Sequence, residues 1–247
     1  SILTPYEDHT KFTAMSYNDS PLTFNGTFRS LDWMTLTKFY GVNPEFRSGD
    51  DVYTFNDFTG TFIIDGNGID TISEASATAN IFIDLRPGTH NYEGYKSRFI
   101  TDSNQLTISH GSDIENVYTG NGQDVIVGNH LANIINAGDG DDIIFAGEAA
   151  DFIYPGSGYD KIDLSEDVSA RDTIVIEKIY DEGHYDTVYG FTQGALGDVI
   201  DVQELDMASL TVLPIVDAVD VPSGYIDNCL VRVFGAVFND TEMLAAS

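Results

Sequence analysis

The chain has 247 residues, with 11 Lys and Arg against 40 Asp and Glu, so its formal net charge at pH 7 is −29. A surface this acidic repels nucleic acid and anionic membranes. The hydrophobic content of 42% excludes a disordered acidic tail, and the single cysteine, Cys229, excludes an intrachain disulfide framework. No apolar run approaches membrane-spanning length. Composition leaves open whether the carboxylates form a solvated acidic surface or cluster around a hard divalent cation.

The first hundred residues predict a helix followed by strands. Residues 31–40 carry apolar side chains at helical spacing, and we expect a short amphipathic helix that ends at Gly41. Residues 51–64 and 80–85 predict strands. Residues 86–100 are polar and rich in Gly and Tyr, which predicts a long loop.

A nine-residue repeat occupies the middle of the chain. Read from His110 to Asp163, six blocks follow without a gap: HGSDIENVY, TGNGQDVIV, GNHLANIIN, AGDGDDIIF, AGEAADFIY and PGSGYDKID. The eighth position always holds a β-branched aliphatic residue, which predicts short strands with one inward side chain. These residues are Val117, Ile126, Ile135, Ile144, Ile153 and Ile162. The pattern is that of the calcium-binding β-helix repeat of RTX proteins.

The sixth position of every block carries a side-chain oxygen, and stacking brings these oxygens together. A strand and a tight loop use nine residues, two blocks complete one coil, and residues eighteen apart therefore stack. One row of oxygens, the first edge, contains Asp124, Asp142 and Asp160; the other, the second edge, contains Glu115, Asn133 and Asp151. Stacked carboxylates repel, so we expect calcium between them, since calcium takes six to eight oxygen ligands including backbone carbonyls.

The two edges differ in their glycines. The first edge keeps Gly-x-Gly-x-Asp throughout, which predicts well-filled sites with carbonyl ligands from Gly120, Gly122, Gly138, Gly140, Gly156 and Gly158. On the second edge, Leu131 and Ala149 replace the second glycine, which predicts weaker or absent sites. A metal-free β-solenoid with Asn and Asp turns is the alternative. An upstream block, residues 65–73, has the same loop with Ile72 inward and predicts a calcium-linked loop at the start of the solenoid.

These patterns predict a mainly β fold: a parallel β-roll, that is, a calcium-loaded nonapeptide solenoid, within a β-sandwich-like domain. A solenoid needs a cap because its last coil exposes unpaired edges. Strand-like runs after the repeat predict an antiparallel or jelly-roll-like cap, at residues 172–177, 186–191, 198–202, 210–216 and 229–238.

Several stretches, in order, resemble the C-terminal part of the serralysin-type secreted zinc metalloproteases. Phe12-Thr13-Ala14-Met15-Ser16-Tyr17 resembles the Met-turn beneath the zinc site, and Leu31 to Val42 resembles the following helix. Arg47 to Phe55 resembles the loop and strand that enter the calcium-binding domain. The nonapeptides follow, and residues 186–191 and 198–202 resemble the strands after the repeat.

The resemblance implies further metal ligands. It gives calcium ligands at Arg47, Gly49, Asp51, Asp65, Gly68, Asp70, Asp113 and Glu115, where Arg47 and the glycines would bind through carbonyl oxygens. Tyr17 matches a tyrosine that can approach zinc. The zinc site of this family needs H-E-x-x-H-x-x-G-x-x-H, a spacing that the five histidines of this chain do not have. We therefore expect zinc only if a catalytic half is present, and no metalloendopeptidase activity from this chain alone.

Together these observations predict a domain organisation and a function. Residues 1–45 are interpreted as the remnant of a metalloprotease-like catalytic domain, and residues 46–247 as an RTX calcium-binding domain with a C-terminal cap and secretion signal. We expect a module that supports folding, stability and type I secretion of a bacterial extracellular metalloendopeptidase. Its expected partners are calcium ions, the export machinery and the missing N-terminal catalytic domain. A non-catalytic, adhesin-like RTX binding module or a pseudoprotease is the alternative, and the sequence upstream of Ser1 would distinguish them.

Overall fold

A computed structural model describes residue 13, residues 29–176, 186–192 and 196–202, and residues 231–233, the last by their backbone alone. Predictions that concern Tyr17, the strand at 210–216 and the C-terminal secretion signal lie outside these residues. In the described part of the chain, no helix is long and apolar enough to cross a membrane.

The predicted helix is confirmed as α1, Ser30–Tyr40. Its N-terminus is fixed by Asp32, whose carboxylate accepts hydrogen bonds from the Arg29 amide, at 2.7 Å, and from the Thr13 hydroxyl. The helix ends where Gly41 takes a φ of 73°, a left-handed conformation that favours glycine. Tyr40, counted as part of the apolar face, is exposed.

The described residues form two compact units, the first from residues 29–73 and 83–114 and the second from residues 74–82 and 115 onward. The domain boundary after residue 45 stays a prediction. The first six strands are β1 (Val52–Tyr53), β2 (Thr61–Ile63), β3 (Thr71–Ser73), β4 (Ile81–Asp84), β5 (His90–Glu93) and β6 (Gln105–Ile108). In the first unit, β1 pairs with β3 and β2 with β6, both parallel, whereas β5 and β6 pair antiparallel.

The prediction of a loop over residues 86–100 is wrong at β5. Its side chains are polar, which hid the strand, but they have buried partners. Asn91 is fully buried and its Oδ1 accepts the Asp84 amide at 2.6 Å. The ring of His90 lies 3.0 Å from Oε1 of Gln105, which is also fully buried.

The second unit is a parallel β-roll. Its strands are β7 (Asn116–Tyr118), β8 (Val125–Val127), β9 (Ile134–Asn136), β10 (Ile143–Phe145), β11 (Phe152–Tyr154), β12 (Lys161–Asp163), β13 (Thr173–Ile176), β14 (Asp186–Tyr189), β15 (Val199–Val202) and β16 (Val231–Val233). Odd-numbered strands form one sheet in the order β7-β9-β11-β13-β15 and even-numbered strands the other, β8-β10-β12-β14-β16. Consecutive strands therefore alternate between two sheets, as a coil of two half-turns requires.

The register confirms the predicted stacking. Ile144 pairs with Ile126 and with Ile162, each eighteen residues away, and Ile135 pairs with Ile153 in the other sheet. All six aliphatic residues at the eighth position are 0% exposed. Burial of each such side chain contributes about 1.5–3 kcal/mol, so this double column is the core of the roll.

The predicted antiparallel cap is wrong where the structure describes it. The runs at 172–177, 186–191 and 198–202 contain β13, β14 and β15, which extend the two sheets in parallel, and β16 does the same within 229–238. The aliphatic column continues through Ile174 and Val188, both 0% exposed. Longer connections between these strands obscure the nine-residue spacing, although the coil itself goes on.

Candidate calcium sites

The first edge of the roll is a ladder of aspartates. The Asp142 Oδ1 atom accepts the Asp124 amide at 2.8 Å, and the Asp160 Oδ1 atom accepts the Asp142 amide at 2.9 Å. The ladder begins at the Ile81 amide, which donates to Asp124 at 2.7 Å, and it continues to Asp186, whose Oδ1 accepts the Asp160 amide at 3.1 Å. One oxygen of each carboxylate thus fixes its stacking on the preceding coil.

The other oxygen of three carboxylates on this edge is an orphan, that is, buried without a hydrogen-bond partner. Oδ2 of Asp124, Asp142 and Asp160 is inaccessible to solvent and has no hydrogen-bond partner. Each of these three residues is only 1% exposed. Leaving a charged oxygen buried and unpaired is costly, and a hard divalent cation is the partner that stacked carboxylates accept. The donor set therefore fits calcium.

Electrostatics supports the same conclusion. Burial raises the pKa of Asp142 to about 7, and the charges of Asp124, Asp141 and Asp186 contribute. Burial and the nearby carboxylate of Asp186 likewise raise the pKa of Asp160. Near neutral pH these groups need either protons or cations to remain inside the roll.

The glycines of the first edge are required by close backbone contact. Gly138 and Gly140 have φ values of 95° and 140°, which side chains rarely adopt. A Cβ at Gly140 would lie 1.6 Å from the carbonyl oxygen of Gly122. The predicted loops therefore stack in close backbone contact, although calcium coordination by these glycines stays a prediction.

The second edge carries a parallel ladder. Asp151 Oδ1 accepts the Asn133 amide at 2.7 Å, Asp172 Oδ1 accepts the Asp151 amide at 2.9 Å, and Asp198 Oδ1 accepts the Asp172 amide at 3.0 Å. Oδ2 of Asp151 is buried without a partner, as on the first edge. Burial raises the pKa of Asp151 to about 8 and that of Asp172 to about 7.

At Asn133 the second edge carries an amide side chain whose polar atoms all have hydrogen-bond partners, unlike Asp151. Its Nδ2 donates to the carbonyl oxygen of Glu115 at 2.9 Å and to Asn129 Oδ1 at 3.2 Å, while its Oδ1 accepts the Asn129 amide at 3.0 Å. Hydrogen bonds thus engage every polar atom of this side chain. The predicted weakness of calcium binding on the second edge remains a prediction.

A third group of carboxylates lies in the first unit. Asp51, Asp65 and Asp70 each offer an oxygen, and these oxygens lie within 4.8 Å of one another. Asp65 and Asp70 are buried, and the Asp51 amide donates to Asp70 Oδ1 at 2.8 Å. We call this group the entry cluster, and it can hold one divalent cation.

The backbone around the entry cluster is tightly packed. Gly68 has a φ of 149°, and a Cβ there would lie 2.4 Å from the carbonyl oxygen of Gly49. Arg47 has a φ of 48° in this same turn region. Asp113, also expected as a ligand, is exposed, and Glu115 is half-buried.

Sequence reasoning missed three members of the ladders, Asp172, Asp186 and Asp198. A signal for them exists, since each stands at the start of a strand or directly before one, and two residues before an aliphatic residue, as in Asp172-Thr-Ile. The repeat blocks have the same Asp-x-aliphatic spacing. A search for that triplet, without the nine-residue period, would have found all three.

Comparison with known proteins agrees with this geometry. The family of the RTX calcium-binding nonapeptide repeat (4 copies) matches residues 131–162. Metallopeptidase AprA from Pseudomonas marginalis is 31% identical over 118 residues, which cover 42% of this chain and 24% of that protein. Serralysin from Proteus mirabilis is 30% identical over 150 residues, which cover 52% of this chain and 29% of that protein. Serralysin G from Dickeya chrysanthemi is 32% identical over 153 residues, which cover 54% of this chain and 31% of that protein.

The chain thus spans about a quarter to a third of the length of these relatives. The matched repeat lies within the parallel β-roll, along the two ladders of buried carboxylates. The chain therefore contains RTX calcium-binding repeats, and over about half of its length it is similar to serralysins.

Proposed function

We propose that this region makes the folding and stability of a larger secreted metallopeptidase depend on extracellular calcium. The observation that carries the proposal is the row of orphan Oδ2 atoms at Asp124, Asp142 and Asp160. Their carboxylates are stacked one coil apart and buried at the edge of the roll. Bound calcium would supply the positive charge and the oxygen coordination that these atoms lack.

The chain's own residues explain why folding would respond to the ion. The ladder hydrogen bonds hold each carboxylate against the preceding coil, so the buried charges cannot separate without opening the sheets. A net charge of −29 adds long-range repulsion. Without cations the roll is expected to loosen, and with them the free energy of binding becomes free energy of folding.

This coupling supports a role in export. Extracellular calcium modules have dissociation constants of about 10⁻⁴–10⁻³ M, so such sites stay empty inside a cell. A loose chain can pass through a narrow channel of the type I export machinery, and it would fold once it reaches calcium outside. The resemblance of residues 238–247 to an uncleaved secretion signal supports the same route.

A calcium titration tests the proposal. Circular dichroism of the full chain should show strand content lost in EGTA and regained as calcium is added. Asp142→Asn should need more calcium to regain it, because one orphan carboxylate is lost. Asp167→Asn is the matched control, since it removes the same charge from an exposed side chain outside both ladders. Strand content that does not change between EGTA and calcium would exclude coupled folding.

We infer that metallopeptidase activity, as named for the AprA relative, would need residues beyond these 247. The zinc-binding spacing is not present in the sequence, so the chain alone should not cleave casein. The same assay with the full-length gene product, with and without a zinc chelator, tests whether a catalytic half completes the protein. Chelator-sensitive cleavage by the 247-residue chain alone would contradict this inference.

A further inference from the structure

Four described glycines directly follow an asparagine or an aspartate, and one of them differs from the rest in a single contact. The pairs are Asp65-Gly66, Asn67-Gly68, Asn121-Gly122 and Asp139-Gly140. Three of the glycine amides donate to a backbone carbonyl oxygen: Gly66 to Phe46 at 2.9 Å, Gly122 to Asp139 at 2.9 Å and Gly140 to Ser157 at 2.7 Å. Within the described part of the chain, the Gly68 amide makes no such hydrogen bond.

This contact decides whether an asparagine before a glycine can cyclise. In that reaction the glycine amide nitrogen attacks Cγ of the asparagine, so a new C–N bond forms, the bond from Cγ to Nδ2 breaks, and ammonia leaves. Water then opens the succinimide ring at either carbonyl, which gives aspartate or isoaspartate without any other reactant. Glycine favours the attack because it has no Cβ in the way. An amide that donates to a carbonyl oxygen must first break that hydrogen bond.

Both reacting groups are unrestrained at Asn67. Its side chain is exposed. Among the described residues, Asn67 makes one hydrogen bond, from its main-chain amide to Asp65 Oδ1 at 3.2 Å, and its carboxamide makes none. A cation at the entry cluster would bind oxygen atoms and would therefore leave the Gly68 amide nitrogen without a partner.

Asn121 provides an internal contrast with the same dipeptide. It is also exposed and also precedes a half-buried glycine. Its own amide donates to the Ala77 carbonyl oxygen at 2.7 Å, the Gly122 amide donates to Asp139 at 2.9 Å, and Asn121 forms a parallel bridge with Asp139. Stacking on the next coil therefore holds the Gly122 nitrogen away from the asparagine side chain.

We propose that Asn67 is a site of spontaneous deamidation and isoaspartate formation in the folded chain, and that the stacked loops protect Asn121. Asn67 lies between Asp65 and Asp70, two members of the entry cluster. Isoaspartate at this position adds a methylene group to the main chain between the two carboxylates. The modified chain should therefore bind calcium more weakly at the entry cluster, a consequence that rests on calcium binding by this chain.

Peptide mapping by mass spectrometry tests the site. The full chain is incubated at pH 8 in saturating calcium, and aspartate and isoaspartate are measured at both positions. Product should form at residue 67 at least roughly ten-fold faster than at residue 121, because reaction at Asn121 requires local opening of the stacked loops. Asn67→Ser is the control, since it cannot deamidate and should remove the signal at this position while the signal at residue 121 stays as in the wild type.

The outcomes separate this proposal from calcium-coupled folding. Equal rates at the two positions in calcium, or no product at residue 67, would overturn the proposal. In EGTA, a roll that loosens should let Asn121 react about as fast as Asn67. If Asn121 stays protected in EGTA while Asn67 reacts, coupled folding fails and the assignment of Asn67 is supported.

Discussion

The hydroxyl of Tyr53 donates a hydrogen bond to the carboxylate of Asp65, a member of the entry cluster. The same hydroxyl accepts a hydrogen bond from Arg47 Nη1 at 3.2 Å, and the guanidinium lies 5.7 Å from the centre of the Tyr53 ring. Burial is the main cause of the raised pKa of Tyr53, so the hydroxyl keeps its proton at neutral pH. Arg47, expected as a ligand through its carbonyl, therefore also acts through its side chain.

Tyr53→Phe should weaken calcium binding at the entry cluster by about 10–100-fold, as is usual when a residue that orients a metal ligand is lost. The ring would still fill its place on β1, so the melting temperature in saturating calcium should change little. Isothermal titration calorimetry measures the affinity, and Tyr95→Phe is the matched control because Tyr95 is exposed. Equal affinities for Tyr53→Phe and the wild type would show that the hydrogen bond to Asp65 does not position it.

Gly140→Ala should destabilise the roll strongly. Its φ of 140° is strained for alanine by about 1–3 kcal/mol, and the added Cβ would overlap the Gly122 carbonyl oxygen at 1.6 Å. Gly94→Ala is the control, since Gly94 has a φ of 75° but open space where its Cβ would lie. Its loss of unfolding free energy should therefore reflect backbone strain alone. Urea unfolding in saturating calcium compares the two variants, and equal losses would mean that the close stacking of loops is unimportant.

The repeat could be read from the sequence because period and chemistry coincide there. Ile144 is followed eighteen residues later by Ile162, and Asp142 by Asp160. One pattern therefore predicts the strands, the buried column and the aspartate ladder together. The later coils could not be read in this way, because Asp186 follows Asp160 by 26 residues and the connection conceals the period. Sequence alone did not show the Tyr53–Asp65 contact, because it joins the side chain of a strand residue to a loop twelve residues further along the chain.

Ile144→Ala should cost about 2–5 kcal/mol, since it opens a cavity in a column whose members are all fully buried. Ile143 is the matched control, because it is the same residue type one position earlier, points outward and is 36% exposed. Its replacement by alanine should cost far less. Urea unfolding in calcium measures both, and similar losses for the two variants would contradict the assignment of the inward column.

In calcium-free buffer, the roll should become more stable as the pH falls. Asp142 and Asp172 have pKa values raised to about 7, and Asp151 to about 8, above the ordinary value of about 3.9. A pKa that is higher in the folded state means that folding takes up protons. This contribution is therefore complete below pH 4 and is lost as the pH rises through 7 to 8. Circular dichroism in EDTA at pH 8, 6.5 and 5 should show strand content that increases as the pH falls, with a smaller increase for Asp142→Asn, which lacks one of the titrating groups. Strand content in EDTA that increases with pH would show that these carboxylates are not buried without an ion.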